Sequence, residues 1–139
     1  MAGFSVSGLD ELILSMEEMA NLPDDEAFKM LKAEADIVEP AQLAKGKELG
    51  VYDSGQTLTS MTRKSSGTSG GSKKIDITFE GVNDDGNRNA EVAFVNEYGV
   101  PSRGIAPRQF IRIANEEAAD EAVEAAADVY DKWLESLGL

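Results

Sequence analysis

Near the start of the chain, Leu9, Leu12, Ile13, Met16 and Met19 recur at helical spacing and share one face. This pattern predicts a helix over 8–20, capped by Ser7 or Gly8, with Asp10 and Glu11 in the first turn where the helix dipole favours acids. Asn21-Leu22-Pro23 ends it, and Pro23 suits the opening of a second helix, because a missing N–H costs nothing there. Phe28, Leu31, Ala35 and Val38 recur three and four apart, so the second helix is predicted to reach Glu39. Pro40 predicts a kink or restart, with helical continuation over 41–49 before Gly50.

Beyond Gly50 the helical period disappears. Residues 64–74 contain no apolar side chain and many Ser and Gly, which predicts a flexible loop. Ile75-Asp76-Ile77-Thr78-Phe79-Glu80 alternates apolar and polar positions as a half-buried strand does. Asn83-Asp84-Asp85-Gly86-Asn87 is turn chemistry, and Ala90 to Val95 reads as a returning strand, so 75–95 is predicted to be a hairpin. A shorter strand at about 58–63 would complete a small sheet. From Pro107 or Gln109 to Leu137 the chain reads as one long helix, with Glu117, Asp120, Glu121, Glu124, Asp128, Asp131 and Glu135 on one face. Ala118, Ala122, Ala125, Val129, Trp133 and Leu137 lie opposite, with Trp133 as the expected anchor. The expected fold is one α+β domain over 1–139: a small antiparallel β-sheet packed by N-terminal helices and a long C-terminal helix.

Composition narrows the chemistry. The 139 residues include no Cys and no His, which removes disulfides, thiol nucleophiles, common zinc sites and imidazole proton transfer. A formal net charge of -13 disfavours phosphate backbones and anionic lipid, so neither direct nucleic-acid binding nor a membrane is expected. The first base is Lys29, and no apolar stretch approaches the roughly 18–20 residues of a bilayer span, so neither a signal peptide nor a membrane helix is expected. The charge falls in blocks of -8 (1–44), +4 (45–74), -5 (75–98), +3 (99–114) and -7 (115–139), which can complement one another within a fold or between copies.

No motif supplies a replacement chemistry. Gly67-Thr68-Ser69-Gly70-Gly71 matches G-x-S-x-G, but in a polar stretch rather than a strand-to-helix elbow, and without His the usual triad cannot form. Lys73 or Lys74 as base to that Ser would need burial that the pattern does not provide. The Asn83–Asn89 cluster lacks the acid an EF-hand places five residues before its glycine, since Gly81 stands there. No phosphate-binding glycine loop and no acid-x-Lys strand motif of a metal-dependent nuclease is present, so no cofactor, metal or catalytic residue is expected.

Two stretches stand apart. Val92-Ala93-Phe94-Val95-Asn96-Glu97-Tyr98-Gly99 closes on an acid, an aromatic residue and a glycine able to take positive φ. Arg103-Gly104-Ile105-Ala106-Pro107-Arg108-Gln109-Phe110-Ile111-Arg112-Ile113-Ala114 leads into the long helix. Read locally, Tyr98 and Phe110 bury against the sheet, Gly99 turns the chain and Pro107 starts the helix. Together with Gly8 to Leu12 and Ser54-Gly55-Gln56-Thr57-Leu58, these stretches resemble, in content and order, the small head–tail joining or tail-completion (minor tail) components of tailed bacteriophages. Ser54 replaces that family's usual Thr, and Gln109 stands where it places Pro before the Phe.

The resemblance implies a non-enzymatic virion protein, assembled in the bacterial cytoplasm, that binds itself in a possible ring and contacts neighbouring phage tail or connector proteins. The positions it singles out are Glu97, Tyr98, Gly99, Arg103, Arg108, Phe110 and Arg112, with Lys64, Lys73 and Lys74 as cations for an acidic partner surface. A ring would need two different patches on each copy. The competing reading is an acidic DNA mimic or regulatory protein that presents the carboxylate face of its last helix to a basic site.

Overall fold

The computed structural model describes residues 22–51, 56–68 and 72–138, and the helix expected over 8–20 lies outside them. Helix α1 (Asp24–Glu48) opens at Pro23, whose carbonyl accepts from the Ala27 N–H at 3.0 Å. Asp24, Asp25 and Glu26 fill its first turn, with Lys45 and Lys47 in its last, each on the side the helix dipole favours. Of the kink or restart expected at Pro40, the restart does not occur, and the helix runs through it. Pro40 is exposed, so the backbone bond it cannot donate is lost on the solvent face, where the freed carbonyl is open to water.

A single turn, α2 (Gln56–Thr59), leads into strands β1 (Met61–Gly67) and β2 (Lys73–Phe79), then α3 (Asn89–Tyr98), a 3₁₀ turn (Pro101–Arg103) and α4 (Phe110–Ser136). The fold is α+β, with four helices and one two-stranded antiparallel sheet among the described residues. Two expectations change here. The polar stretch 64–74 is not one loop: Lys64–Gly67 and Lys73–Lys74 are paired strand, Ser65 opposite Ile75 and Gly67 opposite Lys73. The returning strand at 90–95 is instead helix α3, so the hairpin spans 61–79 rather than 75–95. Sheet pairing supplies partners for a polar backbone whatever its side chains. A short apolar run such as Val92 to Val95, by contrast, is compatible with either period.

α1 and α4 lie antiparallel. Gln42 donates to Asn115 at 2.8 Å, Lys45 pairs with Glu117 at 3.0 Å, and Val38 shares a core cluster with Ala122. On α4 the buried row is Ala114, Ala118, Ala122 and Ala126, four residues apart, which lets the helices approach closely. The large core residues of α4 sit in its first turn. Phe110 has no exposed surface and meets Phe79 edge-to-face with centroids 6.1 Å apart. Trp133, the expected anchor, is only partly buried and leans on Tyr130. The main cluster joins Val51, Leu58, Phe79, Ala93, Phe110 and Ile111. β2 buries alternate residues, as the period of two requires: Phe79 in this cluster and Ile77 in the one with Val38 and Ala122. Arg63 of β1 fastens the hairpin to α1, donating to Glu39 (2.6 Å), Asp36 (2.7 Å) and the Ala35 carbonyl (3.2 Å).

Gly46 is required by closeness rather than by conformation, since a Cβ there would lie 2.6 Å from Leu58 Cδ2 and 3.2 Å from Phe110 Cδ2. Both neighbours are buried and have nowhere to go. Overpacking costs about 1–3 kcal/mol, while alanine returns about 1 kcal/mol of helix propensity. Gly46→Ala should therefore lower unfolding stability by about 1 kcal/mol, the middle of the net range, read from urea denaturation. An unchanged or higher midpoint would contradict this packing.

Glu34 is buried on α1, one turn before Val38, and its Oε1 has no hydrogen-bond partner among the described residues. Burial penalises the carboxylate and pushes its pKa up from 4.5 to about 8. Between those values the folded chain holds a proton that the unfolded chain has released. This contribution to stability is complete below pH 4.5, declines as pH rises, and is lost above about 8. Glu34→Gln should remove that decline, gaining on the parent by up to about 1.4 kcal/mol per pH unit across the window. Parallel pH profiles for the two proteins would refute it.

Candidate functional site

The two stretches that stand apart in sequence meet in space. Glu97, on the last turn of α3, is buried, and its carboxylate caps α4: Oε1 accepts the Ile111 N–H at 2.7 Å and Oε2 the Arg112 N–H at 3.2 Å. Those groups are among the four N–H groups a helix leaves unpaired at its start, and a negative charge there also matches the helix dipole. Because α4's own N-cap residue, Gln109, makes no side-chain cap, the cap comes from another helix. Asn89 fixes the other end of α3. Its amide donates to the Glu80 carbonyl at 2.8 Å, its carbonyl oxygen accepts from Thr57 at 3.3 Å, and its N–H reaches Gly81 O at 3.0 Å.

The connection from α3 to α4 is tightly built. Gly99 has φ +70°, and a Cβ there would lie 2.5 Å from Ile105 O and 2.7 Å from Pro107 N, so glycine is needed for both reasons. Val100 and Ile105 form a β-bridge around the 3₁₀ turn. The Arg108 guanidinium closes the base, donating to Leu49 O at 3.0 Å and Asn96 Oδ1 at 2.7 Å. Helix α4 begins at Phe110 rather than Pro107. Gln109 takes φ 54°, a left-handed conformation that proline's ring forbids, so this loop cannot carry the Pro that the phage family places before its Phe.

With Asn89, Ala93 and Glu97 turned inward, α3 is inverted: its polar residues cap and anchor, while Ala90, Phe94 and Tyr98 form an exposed row four residues apart. Phe94 is 56% and Tyr98 53% exposed, with ring centroids 4.7 Å apart. The burial of Tyr98 expected from sequence is thus wrong, because helix α3 directs Glu97 to the core and Tyr98 to solvent. Phe94 went unnoticed in the sequence, although its i,i+4 spacing to Tyr98 was the available signal.

The cations singled out in sequence are largely engaged within the fold. Lys64 pairs with Glu80 (2.7 Å), Lys74 with Asp76 (3.3 Å) and Arg112 with Glu116 (3.1 Å). Lys73, expected in a mobile loop, is buried and reaches Asp24 at 3.1 Å. Arg103 is exposed at the tip of the connection and has no ion pair among the described residues. On α4, the acids from Asp120 to Glu135 lie exposed along the outer face, as the pattern predicts. Among the described residues no group of three metal-ligating side chains converges, and no helix is long and apolar enough to cross a membrane. Of the G-x-S-x-G match, Gly67 and Thr68 end the first arm of the hairpin and residues 69–71 lie outside the described set. Asn83 Oδ1 accepts the Asp85 and Asn87 N–H groups, each at 3.0 Å, so the Asn/Asp cluster is a turn held by its own backbone. No protein-family model matches the chain, and no curated protein or solved structure matches it either.

The geometry makes Glu97 a structural link rather than a contact residue. Glu97→Ala leaves the buried Ile111 N–H and the part-buried Arg112 N–H without their acceptor and should cost about 2 kcal/mol. Glu97→Gln, which keeps one acceptor oxygen, should cost less, and Glu91→Ala on the exposed side should cost almost nothing. Urea denaturation of the three variants checks the order, and equal effects at 97 and 91 would contradict the cap.

Proposed function

We propose that the chain is a non-enzymatic structural protein of phage or prophage morphogenesis. In this reading it acts at the tail end or head–tail junction by binding its own copies and neighbouring virion proteins, and it resides in the virion after assembly in the bacterial cytoplasm. The observation that carries the contact role is the inverted helix α3, which spends its polar residues on the core and offers Phe94 and Tyr98 to solvent. Exposed aromatic pairs on a rigid element are a hallmark of protein–protein surfaces, because they bury much area at little entropic cost. The assignment to phage assembly is supported by the resemblance of the Glu97-Tyr98-Gly99 and Phe110 segments, which the structure joins through one cap. A protein working by contact also suits a chain without His or Cys.

In a phage carrying this gene, deletion should leave filled heads and finished tails that fail to join, visible by electron microscopy. The parental gene supplied in trans should restore infectious particles, and a Phe94→Ser/Tyr98→Ser gene should not. Normal titres from the deletion would overturn the proposal.

A further inference from the structure

We propose that the exposed ridge of α3 binds the same ridge of a second copy about a two-fold axis. This inference rests on the reading that the chain works by self-association, and it names the surface and the symmetry. Ala90, Phe94 and Tyr98 form the apolar centre. The turn that precedes α3 carries the exposed Asp84 and Asp85, and the 3₁₀ turn that follows it carries the exposed Arg103; none of the three has an ion pair among the described residues. Phe94 stands midway along the chain between these charged ends. When two such ridges cross antiparallel, ring meets ring at the centre, and each Arg103 approaches the partner's Asp84-Asp85 turn. A patch whose ends carry opposite charge complements itself only in this orientation, which is the condition for an isologous contact. Parallel stacking would set like charges together.

The patch is small. A fully buried aromatic ring covers about 150–250 Å², so two half-exposed rings leave on the order of 100 Å² each to bury. The interface falls below the roughly 1,200–2,000 Å² of stable complexes. The dimer should therefore be weak in solution.

Sedimentation velocity over a broad concentration range should show monomer passing to dimer. Phe94→Ser/Tyr98→Ser should raise the dissociation constant about tenfold or more, with circular dichroism unchanged because both side chains are exposed. Arg103→Glu should weaken the dimer several-fold, and adding Asp84→Lys and Asp85→Lys in the same chain should restore it. Since the chain has no cysteine, Ala90→Cys gives a single attachment point. Across the axis two such residues are offset by about 12 Å of ridge, and a bismaleimide spanning them should link copies in pairs. Monomer at every concentration overturns this proposal, while the phage complementation result judges the broader function separately. Oligomers that form without crosslinking at position 90 would assign self-association to a different surface and also overturn it.

Discussion

The close antiparallel contact of α1 with α4 is the constraint on which the rest of the molecule is built. It depends on small residues. Ala114, Ala118, Ala122 and Ala126 let the helix backbones approach, and Gly46 leaves room for Leu58 and Phe110 at one end. Such a smooth contact has little to fix its register, since alanines can slide past one another. The buried Gln42–Asn115 hydrogen bond supplies a fixed point, because any slip would strand two amides away from water. The hairpin then attaches to α1 through Arg63 and through Lys73 to Asp24, and its apolar face closes the core.

α3 is attached to this frame by polar groups rather than by apolar ones. Glu97 holds the first turn of α4, and Asn89 holds the end of β2 and the α2 turn. A helix fixed in this way has no need to bury its aromatic residues, and Phe94 and Tyr98 remain outside. One sequence feature therefore serves two ends. The acid that interrupts an apolar run is the structural anchor, and the aromatic residue beside it is the available contact.

The alternating charge blocks resolve mostly inside the fold. Cations of 45–74 meet acids of the first block through Arg63 and Lys73, of the third through Lys64 and Lys74, and of the last through Lys45. Lys64–Glu80 has both side chains exposed, and such a pair contributes only about 0–1 kcal/mol, so it orients the hairpin more than it stabilises it. Left without an ion pair among the described residues are Arg103 on the α3–α4 connection, Asp84 and Asp85 in the turn before α3, and the acids from Asp120 onward along the outer face of α4.

Sequence alone determined the features that depend on repeated local pattern. The helical period from Phe28 to Val38, the alternation of Ile75 to Phe79, the acidic outer face of α4 and the turn at Asn83 all stand in the structure, because each is set by side-chain spacing or by neighbouring backbone. Tertiary structure decided what local pattern leaves open. Whether Val92 to Val95 became strand or helix turned on Asn89 and Glu97 finding distant partners, Glu80 and the start of α4. Lys64 to Gly67 became strand because β2 lay beside it. Tyr98 faced solvent because α3 turned Asn89, Ala93 and Glu97 inward, and Trp133 was displaced as anchor because α1 and α4 approach through alanines, which leaves the large side chains to the helix ends. These outcomes rest on hydrogen bonds and close contacts between different elements, which the periodicity of each element by itself does not contain.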